Sequence, residues 1–146
     1  IKIITDNKKA RFDYEIVEKF EAGMVLTGSE VKSIREGAVN LKDSYVSFRN
    51  GEAFLQNAHI SVYKASSINN HEPERLRKLL LNKEEINKIM GRVQEKSLAC
   101  VALKMYFKKG RIKLEIGLGR GKKKHDKTQS IKKKESDREL ARALKK

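Results

Sequence analysis

The Asn50-Gly51 pair restricts the fold of this chain more than any other short segment. It joins two runs, Tyr45–Arg49 and Glu52–Gln56, in which apolar and polar residues alternate. Asn-Gly favours a type I′ turn, whose backbone twist matches that of two antiparallel strands. The sequence therefore predicts a β-hairpin, whose two-residue loop pairs Arg49 with Glu52, Phe48 with Ala53 and Val46 with Leu55. The last two pairs share a face and are expected to lie in the core.

A second hairpin is predicted near the end of the apolar part of the chain. Leu98–Phe107 is a long apolar segment, Lys108–Arg111 has the composition of a turn, and Ile112–Leu118 alternates strictly. Cys100 lies inside the apolar segment, so we interpret it as a small buried hydrophobic residue rather than a nucleophile or ligand.

A long strand and a short helix are predicted before the first hairpin. Tyr14–Leu26 is rich in β-branched and aromatic residues and is interpreted as one long or bent strand, with the bend at Gly23. Thr27 and Glu30 have the spacing of a capping box, which starts a helix that Gly37 ends.

Three more elements are predicted between the hairpins. Ala58–Tyr63 has the pattern of a short strand. Pro73 is placed to open a helix through Leu81, with Leu76, Leu79 and Leu80 facing inward. Asn82 is an N-cap with a glutamate three residues later, and it opens an amphipathic helix that should end near Ser97.

These elements give five or six strands, with helices placed between strands rather than alternating with them. That order excludes a doubly wound parallel sheet. It favours a mainly β fold built as a small closed antiparallel barrel, because closure leaves no sheet edge exposed.

Positive charge extends over the whole chain. The net charge is +15 on 146 residues, and residues 117–146 carry 12 basic and 4 acidic residues, which leaves 22 of the 34 basic and 15 of the 19 acidic residues in 1–116. A basic body that continues into a basic tail is typical of a protein that binds a phosphate backbone. A membrane-surface protein would need long amphipathic segments rich in aromatic residues or leucine beside the charge.

The expected location is cytoplasmic and reducing. No run of about 18 apolar residues and no signal-peptide pattern occurs, and a single cysteine allows no disulfide within the chain. Ile1 is not a natural start residue, so the numbering is expected to begin inside the native chain.

Five motifs occur in an order that is far more specific than any one of them. They are Asn7–Arg11, Phe20–Gly23, Gly28–Ser33, Arg77–Asn82 and Gly121–Lys127. On these motifs the chain resembles the bacterial tmRNA-binding proteins of the small protein B (SsrA-binding protein) family, from about Asn7 into the tail.

The resemblance implies an oligonucleotide-binding-type (OB-fold-like) closed antiparallel barrel of about six strands with three flanking helices over residues 1–118. It implies that residues 119–146 are a basic tail, disordered when free and helical on the ribosome. The family is not enzymatic and needs no cofactor or metal. It binds the tRNA-like domain of tmRNA (SsrA RNA) and brings it to stalled ribosomes for trans-translation. The tail senses the decoding centre and the empty mRNA channel, and an elongation factor that delivers alanyl-tmRNA is an indirect partner.

The resemblance also assigns candidate RNA contacts. In the body, Asn7, Glu21, Leu80 and Asn82 match family positions that bind the tRNA-like domain, and their basic neighbours Lys8, Arg11, Lys32 and Lys78 are expected to hold phosphates. In the tail, the expected RNA and ribosome contacts are Gly121, Lys122, Lys123, Lys124, His125, Asp126, Lys127, Lys132, Lys133, Lys134, Arg138 and Arg142.

The tail departs from the family pattern in two respects, and two body assignments have an ordinary structural alternative. Thr128 stands where the family usually has Arg, and the distal tail has no aromatic residue. Judged from the residues alone, a helix-core role for Leu80 and an N-cap role for Asn82 are favoured over RNA contacts. Gly119 and Gly121 are expected to form a flexible turn off the last strand.

Two other functions fit the sequence less well. An acid–base ribonuclease would have to use His59, His71 and His125, but no catalytic order, metal-ligand spacing or phosphate loop connects them. A ribosomal or cold-shock-like barrel usually carries exposed aromatic residues on adjacent strands, whereas this chain has only 4 Tyr and 5 Phe, several of which the core needs.

Overall fold

The computed structural model describes residues 1–62 and 70–122. Along the chain its elements are β1 (Lys2–Asp6), α1 (Lys8–Asp13), β2 (Tyr14–Met24), α2 (Gly28–Arg35), β3 (Val39–Asn40), β4 (Tyr45–Arg49), β5 (Glu52–Gln56), β6 (His59–Ile60), β7 (Arg77–Leu80), α3 (Lys83–Lys96), β8 (Ala99–Lys108) and β9 (Arg111–Gly121). Within the described residues, no helix is both long enough and apolar enough to cross a membrane.

Six antiparallel strands form a ring in the order β8-β4-β5-β7-β2-β9, and β9 pairs back with β8. Two of the junctions in this ring are short. The β4–β8 ladder is the single pair of Tyr45 with Val101, and the β2–β7 ladder consists of Gly23 with Leu80 and Met24 with Leu79. The predicted mainly β, OB-like fold is therefore confirmed, although the barrel is not strictly closed.

Both predicted hairpins are confirmed. The β4–β5 register has Arg49 opposite Glu52 and Val46 opposite Leu55, as the two-residue loop requires. Asn50 and Gly51 have φ angles of 50° and 77°, the positive values of a type I′ turn. The turn of the second hairpin is also left-handed, with positive φ at Lys109 and Gly110, and its inward side chains Leu114, Ile116 and Leu118 are fully buried.

The two predicted capping boxes are present. The hydroxyl of Thr27 accepts from the backbone N–H of Glu30 and starts α2, and the side chain of Asn82 does the same for α3. α3 ends at Ser97, which has left-handed φ and ψ. Ile34 of α2 and Ile89 of α3 are fully buried against the barrel.

The predicted helix from Pro73 to Leu81 is wrong, because residues 77–80 form strand β7 between β2 and β5. Its side chains alternate: Arg77 and Leu79 are buried, whereas Leu80 is exposed. Apolar residues at 76, 79 and 80 fit a helical period, but pairing with two neighbouring strands outweighs that local preference. The third helix of the fold is α1. The sequence pattern predicted neither α1 nor β1.

Close packing at the outer side of β9 explains why two of its residues, Gly117 and Gly119, have no side chain. A Cβ on Gly117 would lie 2.7 Å from Leu103 Cδ1, and one on Gly119 would lie 2.9 Å from Tyr14 Cβ. Gly119 is therefore a buried strand residue, and the predicted flexible turn there is wrong, since β9 continues to Gly121. The predicted short strand after Ala58 is confirmed only as His59–Ile60; Tyr63 lies outside the described residues.

Candidate nucleic-acid interface

Several of the predicted RNA contacts lie together on the outer surface where β2 meets β7. Gly23 of β2 is paired with Leu80 of β7. That register, continued past the last paired residue of β7, leads Asn82 towards Glu21. We call Glu21, Gly23, Leu80 and Asn82 the junction surface. These four residues come from two motifs far apart in the sequence, and the β2–β7 junction brings them to one surface.

Leu80 is the apolar centre of the junction surface. Its side chain is 52% exposed, so the alternative of a helix-core residue is wrong. A Cβ on Gly23 would lie only 3.3 Å from Leu80 Cβ, so glycine leaves the room in which Leu80 crosses over β2. An exposed aliphatic side chain on a strand, next to polar groups, is suited to contact the face of an unstacked base.

A cavity of about 310 Å³ opens beside Leu80 and Gly23. Arg35 of α2 and Arg111 and Lys113 of the β8–β9 hairpin contribute to its lining. An apolar floor with three cations around it fits a nucleotide, whose base needs apolar contact and whose phosphates need positive charge. Sequence reasoning missed these cations, although the basic turn Lys108–Arg111 was a visible signal for one of them, Arg111.

Glu21 supplies the hydrogen-bond acceptor of the junction surface. Its Oε2 accepts a short hydrogen bond from the hydroxyl of Tyr106 and lies 3.2 Å from Lys108 Nζ. The Tyr106 bond, aided by the charge of Lys108, lowers the pKa of Glu21 below its ordinary value. Tyr106 is 5% exposed, and burial together with the bond to Glu21 raises its own pKa. Glu21 is therefore an anion held by a neutral tyrosine, which the sequence did not indicate.

Asn82 is confirmed as the N-cap of α3. Its Oδ1 accepts from the N–H of Glu85 at 2.8 Å, and Glu85 Oε1 accepts from the N–H of Asn82 at 3.2 Å. The cap uses the side-chain oxygen, and the side-chain amide nitrogen is not part of it. Asn82 is exposed, so the structural role and an RNA contact are compatible.

Asn7 is placed differently from the other predicted contacts. It is 5% exposed; its Nδ2 donates to the carbonyls of Leu41 (3.0 Å) and Ala102 (2.8 Å), and its Oδ1 accepts from the N–H of Ala10 (3.2 Å). Every polar atom of the side chain is thus used inside the fold. Asn7 fixes the start of α1 against β8.

The basic neighbours occupy several parts of the surface. Lys78 on β7 lies beside the junction surface and pairs with Glu52 at 3.0 Å, with both side chains well exposed. An exposed ion pair of this kind contributes little to stability, so Lys78 can bind a phosphate instead of Glu52 at little cost. Lys8 is exposed on α1 and Lys32 on α2. Arg11 of α1 pairs with Asp6 and lies 3.9 Å from Glu115.

The start of the tail is held against α1. Gly121 is paired with Tyr14, the N–H of Lys122 donates to the carbonyl of Asp13 at 2.9 Å, and Lys122 Nζ donates to the carbonyl of Arg11 at 3.0 Å. The other predicted tail contacts lie outside the described residues: Lys123, Lys124, His125, Asp126, Lys127, Lys132, Lys133, Lys134, Arg138 and Arg142.

Each of the two histidines within residues 1–62 and 70–122 contacts neighbouring residues of the fold. His71 is buried and bridges α2 and β6, with Nδ1 2.8 Å from Ser29 Oγ and Nε2 2.8 Å from the carbonyl of Ile60. His59 is exposed and lies 3.4 Å from Glu74. In residues 1–62 and 70–122 no group of His, Cys, Asp and Glu is arranged to hold a metal ion. Cys100 is buried as predicted, which raises the pKa of its thiol to about 12.

An OB-like barrel with an exposed aliphatic residue, an acceptor and a cluster of cations on one outer surface defines a small RNA-binding β-barrel protein. The sequence model described as "SmpB protein" matches residues 4–146. The chain belongs to this SmpB family, which confirms the resemblance drawn from its motifs.

Individual relatives agree along nearly the whole length. The chain is 58% identical over 144 residues to the SsrA-binding protein of Syntrophobacter fumaroxidans, covering 99% of this chain and 89% of that protein. It is 58% identical to the SsrA-binding protein of Microcystis aeruginosa, covering 99% and 95%. A solved structure described as "tmRNA-SmpB: a journey to the center of the bacterial ribosome" is 46% identical, with a TM-score of 0.69 over 82% of this chain and 85% of the other.

Proposed function

We propose that this protein binds the tRNA-like domain of tmRNA and brings it to stalled ribosomes for trans-translation. The relatives that it matches over 99% of its length are named for binding SsrA RNA, and the matching solved structure concerns tmRNA and SmpB on the ribosome. The protein is a cytoplasmic RNA-binding protein and not an enzyme. The observation that carries the choice of site is the 52% exposed Leu80 beside the anionic Glu21.

The barrel recognises the RNA through the junction surface. Leu80 contacts the face of an unpaired base, while Glu21 and Asn82 bond to base edges or hydroxyl groups. Arg35, Arg111 and Lys113, with Lys78, hold the phosphates on either side, and these contacts fix position rather than sequence. Asn7 contributes indirectly, because its internal hydrogen bonds set the position of α1.

The basic tail acts on the ribosome. The part of the tail beyond Lys122, residues 123–146, is proposed to be disordered when free and helical in the decoding centre and the empty mRNA channel, because β9 holds the tail to Gly121. Lys122, bonded to the carbonyls of Arg11 and Asp13, sets where the remaining tail leaves the body. An elongation factor that delivers alanyl-tmRNA is an indirect partner.

Truncation after Lys122 separates the two roles. Gly121 and Lys122 stay because they bond to the body. The shortened chain is expected to bind the isolated tRNA-like domain within a few-fold of the full chain, and to lose the tagging of nascent peptides on ribosomes stalled at the end of a message. A matched control keeps the composition of residues 123–146 in scrambled order; it retains the charge and should also fail to support tagging.

Loss of RNA binding on truncation would contradict this division between barrel and tail. Affinity for the tRNA-like domain and for an ordinary elongator tRNA must also be compared at one salt concentration, because phosphate contacts alone give salt-dependent binding to any RNA. Equal affinities would reduce the protein to a general basic RNA binder.

A further inference from the structure

Tyr106 is a buried polar side chain bonded to the junction surface. It lies on β8, and its ring is almost fully buried. Its hydroxyl donates to Glu21 on β2, although β9 lies between those two strands in the sheet. A buried ring cannot change rotamer without leaving its packing, so the hydroxyl is a fixed donor. The long glutamate side chain gains its orientation from the rigid tyrosine, since an exposed glutamate alone samples several rotamers.

The bond to Tyr106 makes the two oxygens of Glu21 unequal. Oε2 accepts from Tyr106 and lies 3.2 Å from Lys108 Nζ, whereas Oε1 has Lys108 Nζ only at 3.4 Å. The Glu21 side chain retains about a third of its exposure, 36%. The geometry therefore leaves Oε1 with most of its accepting capacity, two residues along β2 from Gly23, the partner of Leu80.

We propose that Tyr106 is a positioning residue for RNA recognition, whose hydroxyl fixes Glu21 so that Oε1 accepts from an N–H donor of an unpaired base. The inference rests on the proposed function, in which Glu21 contacts the tRNA-like domain. An ionised carboxylate only accepts hydrogen bonds, so a fixed Oε1 selects base edges that present an N–H and rejects edges that present a lone pair. A freely rotating carboxylate would bind less tightly, because it would pay the ordering entropy on binding.

The Tyr106→Phe variant removes the hydroxyl and keeps the ring. Affinity for the tRNA-like domain is expected to fall about tenfold, the size of one hydrogen bond to a charged group. Tyr45→Phe is the matched control, since Tyr45 is an exposed tyrosine on β4 outside this network. It should bind with unchanged affinity. Urea unfolding of both variants checks that the fold persists.

A double-mutant cycle with Glu21→Gln distinguishes positioning from a general structural role. If Tyr106 acts through Glu21, then Tyr106→Phe weakens binding in the wild-type background and has no further effect in the Glu21→Gln background. Additive losses would overturn the inference and leave the function intact. If Glu21→Gln alone left RNA affinity unchanged, the junction surface itself would be wrong, so the two failures are distinguishable.

The pH profile of binding gives a second readout. The groups that face Glu21 are Tyr106 and Lys108 from β8 and Lys113 and Glu115 from β9. The hydrogen bond from Tyr106 is the largest cause of its lowered pKa. The acid loss of affinity in Tyr106→Phe should therefore occur at higher pH than in the wild type and in Tyr45→Phe. An unshifted acid limb would overturn the proposal even if affinity at neutral pH were reduced.

Discussion

Two carboxylates, Glu21 and Glu30, are each held by neighbouring donors, but they differ in how many of their oxygen lone pairs remain available. This difference distinguishes a carboxylate that can bind a ligand from one that stabilises the fold. Glu30 is fully buried, and both of its oxygens are occupied: Oε1 accepts from Arg75 at 2.7 Å and from the N–H of Thr27 at 2.8 Å, and Oε2 accepts from Arg77 at 2.8 Å. Glu21 is exposed and has one oxygen mostly unused. The same residue type is therefore structural where every lone pair is satisfied inside, and available to a ligand where it is not.

The cluster of the buried Glu30 and Arg77 with the partly exposed Arg75 joins three parts of the chain. Glu30 belongs to α2 and Arg77 to β7, and Arg77 also donates to the carbonyls of Ala58 (2.9 Å) and Pro73 (3.0 Å). Such a cluster is costly to break, because removal of one partner leaves a buried charge without compensation. The cluster thus holds β7 in the orientation in which Leu80 points outward.

The largest effect is expected from Arg77→Met, which leaves the buried Glu30 carboxylate short of one cation. The free energy of unfolding should fall by about 3–5 kcal/mol. Lys78→Met is the matched control one residue along β7; it removes an exposed pair with Glu52 and should cost less than about 1 kcal/mol. Urea unfolding measures both. A loss below about 1 kcal/mol in Arg77→Met would mean that the cluster contributes little and would break the comparison.

The acid stability of the fold should report the same cluster. Burial alone would raise the pKa of Glu30, but hydrogen bonds from Arg75, the Thr27 N–H and Arg77 outweigh it and lower this pKa from 4.5 to about 2. The pKa of Glu30 is lower in the folded protein than in the unfolded chain, so ionised Glu30 stabilises the fold. This stabilisation is complete above the unfolded-state pKa and is lost as the pH falls through the folded-state pKa. The wild type should lose about 3 kcal/mol through this group between pH 5 and pH 2.

Unfolding measured from pH 7 to pH 2 checks that expectation against Glu30→Gln. The variant has no carboxylate to titrate at this position, so its stability should decline less steeply in the same window. Parallel curves for the two proteins would show that Glu30 is not the group responsible.

The smallest effect is expected at the apolar part of the junction surface. Leu80→Ala should change the free energy of unfolding by about 0.5 kcal/mol or less, since the side chain is half exposed. Its affinity for the tRNA-like domain should fall by about tenfold through lost contact with a base. Val17→Ala is the control, because Val17 is also an exposed aliphatic strand residue, on the neighbouring strand β2, at 45% exposure. Equal RNA affinities of Leu80→Ala and the wild type would remove Leu80 from the interface.

The structural features that the sequence predicted well are those that depend on neighbouring residues. The turn at Asn50-Gly51 and the capping boxes at Thr27 and Asn82 depend on residues within a few positions of one another, so their chemistry is visible in one segment. β7 was misassigned because the partners that make Arg77 an inward strand residue, Glu30 above all, are distant in the chain.

The candidate site shows the same division. Glu21, Leu80 and Asn82 were proposed from the family motifs, and the β2–β7 junction explains why such separated motifs belong together. Tyr106 was not predicted, because it carries no motif and acts across β9. Asn7 was predicted as an RNA contact from its motif, whereas its hydrogen bonds are all internal.

The ring of strands consists of two three-stranded halves, β4-β5-β7 and β2-β9-β8, joined by the two short junctions. Glu21 belongs to one half and Leu80 to the other, so an RNA loop that contacts both spans one of the junctions. An RNA bound across that junction would connect the two halves, and the halves could then separate only after its release. By thermodynamic linkage, contacts of the RNA with both halves would also stabilise the short β2–β7 pairing.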